Sequence, residues 1–260
     1  MTAQRKRTQE IQNFIIQNVE KNPRNITSLA SEEFSISRQA VHKHINHLID
    51  DGILTAEGAT RNRQYALAII NEFEIQYPLE QTAEDKVWRK DIRPYLSDVP
   101  SNVMQIFEYG VTEIINNAID HSEGSTVTIR FCRTAMWATI SIGDNGAGIF
   151  NKIQKKLDLD DPRHAVLELS KGKLTTDPAH HTGEGIFFTS RMFDVFSISS
   201  GRLDLSHIAD PNSVKGIDFL LKNQKTDFPG TLVRLKLSLD SSQRIEKVFD
   251  YYTTTDSYGF

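Results

Sequence analysis

Four short stretches in the sequence put glycines or polar side chains where a helix meets a strand. The first, TEIINNAIDHSEGS at 112–125, continues a helix predicted over 101–121, and the second, GDNGAGI at 143–149, follows the strand-like run ATISI. The third, HHTGEGIFFTSRMFD at 180–194, has glycines before a helix, and the fourth, PGTLVRLKL at 229–237, is a turn that enters a strand. Each stretch alone is consistent with an ordinary turn. Their order restricts the fold far more than any one of them does.

The helix in the first stretch has two faces. On a helical wheel, Glu113, Asn117 and Asp120 fall within about 60° of one another, with Asn116 and His121 beside them, and the apolar side chains lie opposite. A solvated outer face explains this polar stripe equally well, although such faces usually include Lys and additional Glu side chains.

The glycine stretches carry chemistry of a definite kind. Asp144 ends a strand and is followed by Gly146 and Gly148, so an acceptor stands next to a backbone that can approach a flat ligand closely. Gly183 and Gly185 open a helix whose free amides favour phosphate. The sequence contains no Walker A pattern, which excludes an ordinary P-loop nucleotide site.

In this order the four stretches resemble the N box and the three glycine boxes of the GHKL superfamily, over roughly residues 100–240. That group includes DNA gyrase, a class of heat-shock chaperones, histidine kinases, mismatch-repair ATPases and anti-sigma-factor kinases. The resemblance implies an α/β sandwich that binds ATP with magnesium between a helical layer and a flexible lid. Helices that alternate with β-rich runs in this segment favour an α+β fold with helices on one face of a mixed sheet.

The resemblance also implies roles for individual residues. Asp144 would accept from the adenine amino group, with Gly146 and Gly148 beside the base. Asn117 would offer its amide oxygen to Mg²⁺, a hard cation that prefers oxygen ligands. Glu113, one turn earlier, would be the general base that activates the attacking water or hydroxyl.

Further residues implied by the resemblance contact the phosphates or the base. Gly183 and Gly185 would hold the phosphates through backbone amides, with Thr182 beside them, and Thr231 would lie near the adenine. Lys173, in the predicted lid, is able to reach the phosphates, although a solvated loop explains it equally well.

The first quarter of the chain has a different pattern, which predicts three helices and a short hairpin within residues 1–68. Apolar side chains recur at helical spacing over 3–20. A second short helix, ITSLASEEF, has Thr27 as its expected N-cap. A third, RQAVHKHINHLIDDG, is expected to begin after Ser37 and to end at Gly52. The runs ILTA and QYALA predict the two strands.

This element order, with SRQAVHKHINHLIDDGIL at 37–54, resembles the winged helix-turn-helix domain of bacterial transcription regulators. The resemblance implies DNA binding through the third helix and the hairpin. The candidate contacts, whose side chains suit base edges and phosphates, are Arg38, Gln39, His42, Lys43, Arg61 and Arg63. Residues 1–65 carry nine Lys/Arg against seven Asp/Glu. Because this basic excess is small, a module that makes only protein contacts is the alternative.

The sequence therefore predicts four parts. They are a DNA-binding domain at 1–68, a linker with a helix at 69–98, an ATP-binding domain at 99–240 and a helical tail at 241–260. The linker predicts one amphipathic helix, LEQTAEDKVWRKDIRPYL, with Val87, Trp88 and Ile92 facing inward. The tail stops after a helix-like piece, and one expectation is that it begins a further domain, the chain being a fragment of a longer protein.

Composition limits the class of protein. With 260 residues, of which 38% are hydrophobic and 25% charged, the chain has the composition of a soluble globular protein. It has no apolar run of about 18 residues and no signal-peptide pattern, so we expect a cytoplasmic protein without a membrane segment. Its single cysteine, Cys132, excludes a disulfide framework and a cysteine-based metal cluster.

Three functions are compatible with these features. The first is an ATP-responsive DNA-binding regulator, and the second is a serine/threonine kinase of anti-sigma-factor type that acts on a protein partner. The third, an ATP-operated clamp that forms a homodimer, is disfavoured because about 20 residues follow Leu239, too few for a transducer domain. A typical histidine kinase is excluded, since none of the eight histidines lies in a His-Glu/Asp-Leu-Arg context.

Overall fold

The computed structural model describes residues 3–170, 184–210, 213–222 and 228–254. The chain divides into two compact units. Residues 1–72 with 132–137 form the first, and residues 73–131 with 138–260 form the second.

Three helices and a two-stranded antiparallel sheet make up most of the first unit. In chain order they are α1 (Ala3–Asn18), α2 (Ile26–Glu33), α3 (Arg38–Asp50), β1 (Leu54–Glu57) and β2 (Gln64–Leu67). In the sheet Leu54 pairs with Leu67 and Glu57 pairs with Gln64. The predicted helices and strands of this segment are therefore present in the predicted order.

Helix α3 forms where the sequence predicts it, and for the expected reasons. The Ser37 hydroxyl accepts a hydrogen bond from the Ala40 N–H at 3.2 Å, which satisfies a free amide of the first turn. Its apolar stripe, Val41, Ile45 and Leu48, is buried. The predicted cap of α2 is wrong, because that helix already begins at Ile26 and Thr27 lies inside it.

The remaining elements belong mostly to the second unit. The strands are β3 (Asn71–Pro78), β4 (Thr126–Arg133), β5 (Trp137–Asp144), β6 (Val195–Gly201), β7 (Leu203–Asp210), β8 (Ser213–Lys222) and β9 (Phe228–Ser238). The α-helices are α4 (Glu84–Val87), α5 (Ser101–His121), α6 (Ile149–Lys156), α7 (Pro162–Ser170), α8 (Gly185–Met192) and α9 (Ile245–Thr254).

Seven strands form one sheet in the order β3-β4-β5-β9-β6-β7-β8. Strand β6 pairs antiparallel with β7 and β9, and β7 pairs antiparallel with β8. Alternate side chains along β5 are buried, and α5, α8 and α9 contribute to the same apolar core. A helical layer against a large sheet agrees with the predicted α+β class.

The segment between the two predicted domains differs from expectation. Residues Asn71–Pro78 form a strand, because apolar and polar side chains alternate in NEFEIQYP. The single predicted helix after it is wrong: α4 continues as a π-helix over Trp88–Ile92 and a 3-10 turn over Arg93–Leu96. Pro94 has no N–H for a regular helix bond, which accounts for the break. The predicted inward side chains, Val87, Trp88 and Ile92, are buried.

No helix in the described ranges is both long enough and apolar enough to cross a membrane.

Candidate functional site

Asp144 stands at the end of β5 and is the most enclosed polar group of the predicted site. Only 8% of its surface is exposed. The N–H of Gly146 donates to its Oδ1 at 2.8 Å, and the N–H of Thr231 donates to the same oxygen at 3.2 Å. Burial raises the pKa of this carboxyl, and hydrogen bonds from the backbone of Gly146, Thr231 and Asp144 and from the Thr231 side chain oppose the rise. The carboxylate is thus a fixed acceptor between the turn after β5 and the start of β9.

Thr231 joins three parts of this region. Its N–H reaches Asp144, and its hydroxyl accepts from the N–H of Ile149, at the start of α6, at 3.0 Å. The preceding Gly230 has φ +83, and its carbonyl accepts from the buried Ser200 hydroxyl at 2.8 Å. The turn predicted at PGT is wrong, because these residues lie inside β9. They connect the end of β5, the start of α6 and strand β6, although Thr231 lies 87 residues from Asp144 in the chain.

Gly146 is required by close packing. A Cβ built at this position would overlap the carbonyl oxygen of Ser122, which follows α5. The N–H of the next residue, Ala147, donates to that same carbonyl at 2.9 Å. The second glycine stretch is thus bonded directly to the end of the helix that carries the polar stripe.

Glu113 and Asn117 are coupled on the polar face of α5. The Asn117 amide Nδ2 donates to the Glu113 backbone carbonyl at 2.8 Å and to its carboxylate Oε1 at 3.2 Å. Both side chains are half-buried. With Nδ2 turned toward Glu113, the Asn117 oxygen Oδ1 is directed elsewhere and is suited to a cation. The stripe is therefore a structured pair at this point, while Asp120 on the same face is exposed.

The start of α8 lies directly against this pair. A Cβ at Gly185 would overlap the Glu113 carboxylate, so a glycine is needed for the two to meet. A carboxylate is favourably placed near a helix N-terminus, where free N–H groups give a positive end. The structure thereby brings together Glu113, Asn117 and Gly185, three residues that the sequence assigns to the phosphate end of one site.

Three residues assigned to that end lie outside the described residues, namely Lys173, Thr182 and Gly183. Among the residues that the structure describes, no group of three or more His, Cys, Asp and Glu side chains is arranged to hold a metal ion. The cation predicted at Asn117 therefore depends on an amide oxygen and on oxygens of the nucleotide.

The candidate DNA contacts share one exposed face of the first unit's third helix. Arg38, Gln39, His42 and Lys43 are all exposed on α3. In the hairpin, the Arg63 guanidinium lies 5.5 Å from the centre of the Tyr65 ring. The backbone of Arg61 lies in a short 3-10 turn over Thr60–Asn62. The side chain of Arg61 is outside the described part of the chain.

Asn145 has a structural role that the sequence did not predict. Its Oδ1 accepts from the N–H groups of Ser125 and Thr126 at 2.8 and 3.0 Å, and its Nδ2 donates to the Ser125 hydroxyl at 3.0 Å. Asn145 thus fixes the start of β4 against the end of β5. The motif Asp-Asn-Gly predicts a local turn, and nothing in it identifies a partner 20 residues earlier.

Lys152 is a second residue that the sequence did not single out. From α6 its ammonium group donates to the carbonyl of His121 at 2.5 Å and pairs with Glu123 at 2.8 Å. A cation at the C-terminus of α5 is favourable for the helix dipole. The contact holds the two helices that border the Asp144 region.

Comparison with known families agrees with this geometry. A search of the curated proteins found no match to the chain. Residues 80–206 match the family described as the histidine kinase-like ATPase domain. Asp144, Glu113, Asn117 and Gly185 lie inside the matched range, and Thr231 lies outside it. The match supports a GHKL-type ATPase domain in this part of the chain and, with it, the binding of ATP.

Proposed function

We propose that this protein is an ATP-binding regulator in which Mg-ATP binding or hydrolysis in the second unit controls DNA binding by the first. One observation supports the nucleotide part: the second unit contains two sets of polar groups. Asp144 is buried and accepts two backbone N–H groups. Glu113 and Asn117 are hydrogen-bonded to each other, and Glu113 packs against Gly185. We propose that the first set accepts a hydrogen bond from the base, and that the second set binds the cation and the phosphates.

At the adenine end, Asp144 acts as the specificity group. Its Oδ1 already accepts two N–H groups, so we assign Oδ2 to the adenine amino group. Gly146 and Gly148 let the backbone run close to the base, and Thr231 lies beneath it. A buried carboxylate that is held in place loses little freedom when it binds, which favours affinity.

At the phosphate end, the Asn117 oxygen would hold Mg²⁺, and Glu113 would orient the attacking water or hydroxyl. The bound Mg²⁺ would neutralise charge on the phosphate oxygens. Gly185 would hold those oxygens through the N–H groups at the start of α8. We propose that Thr182, Gly183 and Lys173, which lie outside the described residues, also bind the phosphates, as the family resemblance implies. These residues fit Mg²⁺ and phosphates, because the amide oxygen of Asn117 is a suitable metal ligand and lies beside a carboxylate at a helix N-terminus.

The nucleotide assignment is tested by isothermal titration with Mg-ATP and with a non-hydrolysable analogue. Asp144→Asn should weaken binding by about 10- to 100-fold, since a hydrogen bond to a charged group contributes about 1.5–3 kcal/mol. Asp194→Asn is the matched control, because Asp194 is a half-buried carboxylate that accepts a backbone N–H, from Ser238 at 2.6 Å, and burial raises its pKa too. Equal affinity of Asp144→Asn and the wild type would refute the site.

Turnover is a separate question, which Glu113→Gln addresses. This variant should keep its ATP affinity and lose hydrolysis or transfer, while Glu108→Gln, an exposed change on the same helix, should behave as the wild type. If the wild type binds ATP and shows no turnover, the domain is a nucleotide sensor.

For the first unit we propose a winged helix-turn-helix that binds DNA for transcription regulation, through α3 and the β1–β2 hairpin. The support is the element order and the row of exposed polar side chains on α3. In a mobility-shift assay, Arg38→Ala should weaken binding more than Arg5→Ala, an exposed charge-matched change on α1. Affinity should fall with salt. No shift on any DNA would favour a module for protein contacts.

A serine/threonine kinase is the second candidate, because a base beside the phosphates can also activate a protein hydroxyl. Labelled γ-phosphate separates the two: transfer to a protein supports the kinase, and release as inorganic phosphate supports the ATPase. A dimerising clamp would instead give an ATP-dependent increase in mass by light scattering. With either regulator or kinase we propose a cytoplasmic location.

A further inference from the structure

Helix α9 packs on both helices that form the phosphate end of the site. The Phe249 ring lies 5.8 Å from the Tyr109 ring on α5, edge to face, and 4.4 Å from the Phe188 ring on α8. One turn later, Tyr252 lies 5.1 Å from Phe187 on α8. Val248 is buried in the same core. Helix α9 is therefore an integral layer of the second unit, not a loosely attached tail.

The segment that leads into α9 is tied to the same two helices. From α5, the Asn102 amide donates to the carbonyls of Ser241 and Gln243 at 2.7 and 2.9 Å. In turn the Gln243 amide donates to the carbonyl of Arg191, near the end of α8, at 3.3 Å. A change in the spacing of α5 and α8 must therefore strain or shift the start of α9.

Tyr109 connects this layer to Glu113. The two residues are four apart on α5, so their side chains are neighbours on one helix face. Burial, followed by the charges of Glu113 and Glu184, raises the pKa of Tyr109 to about 12, so the phenol remains a neutral donor near both carboxylates. Its ring faces Phe249 while its hydroxyl end lies in the field of the site.

Helices α5 and α8 approach each other closely at two glycines. At Gly110, next to Tyr109, a Cβ would come within 2.5 Å of the Phe193 ring just after α8. At the other end, the Gly185 backbone meets the end of the Glu113 side chain, which can rotate away. Phosphates that bind the N–H groups at the start of α8 and displace the Glu113 carboxylate therefore change the contact between the two helices at this end, while the buried Phe193 ring fixes the other end.

We propose that ATP binding changes the position of helix α9, and that the position of α9 in turn changes ATP affinity. The Tyr109–Phe249 contact transmits this coupling. This inference rests on the proposed function, since it concerns regulation of the same ATP site. Phosphate entry moves α8 against α5, and α9 follows because its aromatic side chains contact both. By thermodynamic linkage, a partner that binds one position of α9 changes ATP affinity, and ATP changes the affinity of that partner by the same factor.

Hydrogen–deuterium exchange on the full chain tests this, with ATP affinity measured in parallel by titration. In the wild type, saturating Mg-ATP should slow amide exchange in peptides covering Ile245–Thr254 by at least about fivefold, a coupling at the low end of the usual range. Tyr109→Leu and Phe249→Leu should keep ATP affinity within a few-fold and lose that slowing. Lys247→Ala, an exposed change on α9, should retain it.

The outcomes separate the two proposals. ATP binding without any change in α9 overturns the coupling and leaves the nucleotide site standing. No ATP binding to the wild type overturns the proposed function, and the coupling with it. Slowing that persists in both leucine variants overturns the assignment of Tyr109 and Phe249 as the link.

Discussion

The adenine end and the phosphate end that we propose for the candidate site are built in different ways. At the adenine end the groups are mostly backbone, since N–H groups of Gly146 and Thr231 hold Asp144 and a third N–H binds the Thr231 hydroxyl. At the phosphate end they are half-buried side chains of one helix, Glu113 and Asn117, beside the start of another helix.

This difference indicates how each end responds to a ligand. The turn after β5 and the start of β9 are bonded to one another through backbone groups, so the proposed adenine end is organised before a nucleotide binds. At the phosphate end, the Glu113 side chain can move away from Gly185 by rotating about its own side-chain bonds. This costs less free energy than moving the backbone at the adenine end. Substitutions at the first end should therefore affect stability, and those at the second end should affect turnover.

The largest expected effect on stability is that of Gly146→Ala. Its methyl group would overlap a backbone carbonyl, that of Ser122, which cannot rotate away. We expect a loss of about 3 kcal/mol in the free energy of unfolding, at the upper end of the overpacking range. The melting temperature should fall by roughly 6–12 °C, which thermal unfolding measures.

The control for that variant is Gly143→Ala, three residues earlier. Its methyl group would meet the end of the Leu232 side chain at 3.2 Å, and that side chain can move. If both alanine variants melt alike, the adenine end is not the rigid part of the comparison.

Gly185→Ala should give the opposite result at the phosphate end. The methyl group would displace the Glu113 carboxylate, which is the end of a flexible side chain, so stability should change by less than about 1 kcal/mol. Turnover should nevertheless fall by about 100-fold, the usual result of displacing a catalytic group by 1 Å. A steady-state phosphate-release assay measures it, and wild-type turnover in this variant would argue against Glu113 as the base.

Sequence patterns predicted the local elements better than the contacts between them. The extent of α5, Ser101–His121, and the strand that ends at Asp144 are confirmed, because their periodicity is local. The strand TLVRLKLSL is confirmed too, although it already begins at Phe228, where a turn was predicted. The bonds from Thr231 to Asp144 and from Asn145 to Ser125 depend on chain-distant turns meeting. Strand β3 was not predicted, because its segment, which contains Pro78 and Pro94, was interpreted as a linker, although apolar and polar side chains alternate in it.

The family resemblance supplied what periodicity could not. No spacing rule places Gly185 against Glu113, 72 residues earlier, yet the order of the glycine stretches implied that they share a site. It did not imply the packing of α9 on α5 and α8, because that depends on aromatic residues outside the boxes, Tyr109, Phe188 and Phe249.

The smallest expected effect concerns the charge of Asp144. Because burial raises its pKa in the folded protein above the ordinary value of 3.8, the folded state binds this proton more tightly than the unfolded state does. Stability contributed by this group is therefore greatest at low pH and falls as pH rises from about the ordinary value through the raised pKa. Asparagine cannot ionise, and its Oδ1 can accept the same two N–H groups.

Asp144→Asn should consequently be at least as stable as the wild type at pH 7, by a margin that closes as pH falls below about 4. Urea unfolding at a series of pH values measures the margin, with the exposed Glu108→Gln variant as the baseline. This result would also show that its loss of ATP affinity does not come from unfolding. A variant clearly less stable than the wild type at pH 7 would mean that the two backbone N–H groups, Gly146 and Thr231, compensate the buried charge in full. The adenine end would then be arranged around the ionised carboxylate itself, before any nucleotide binds.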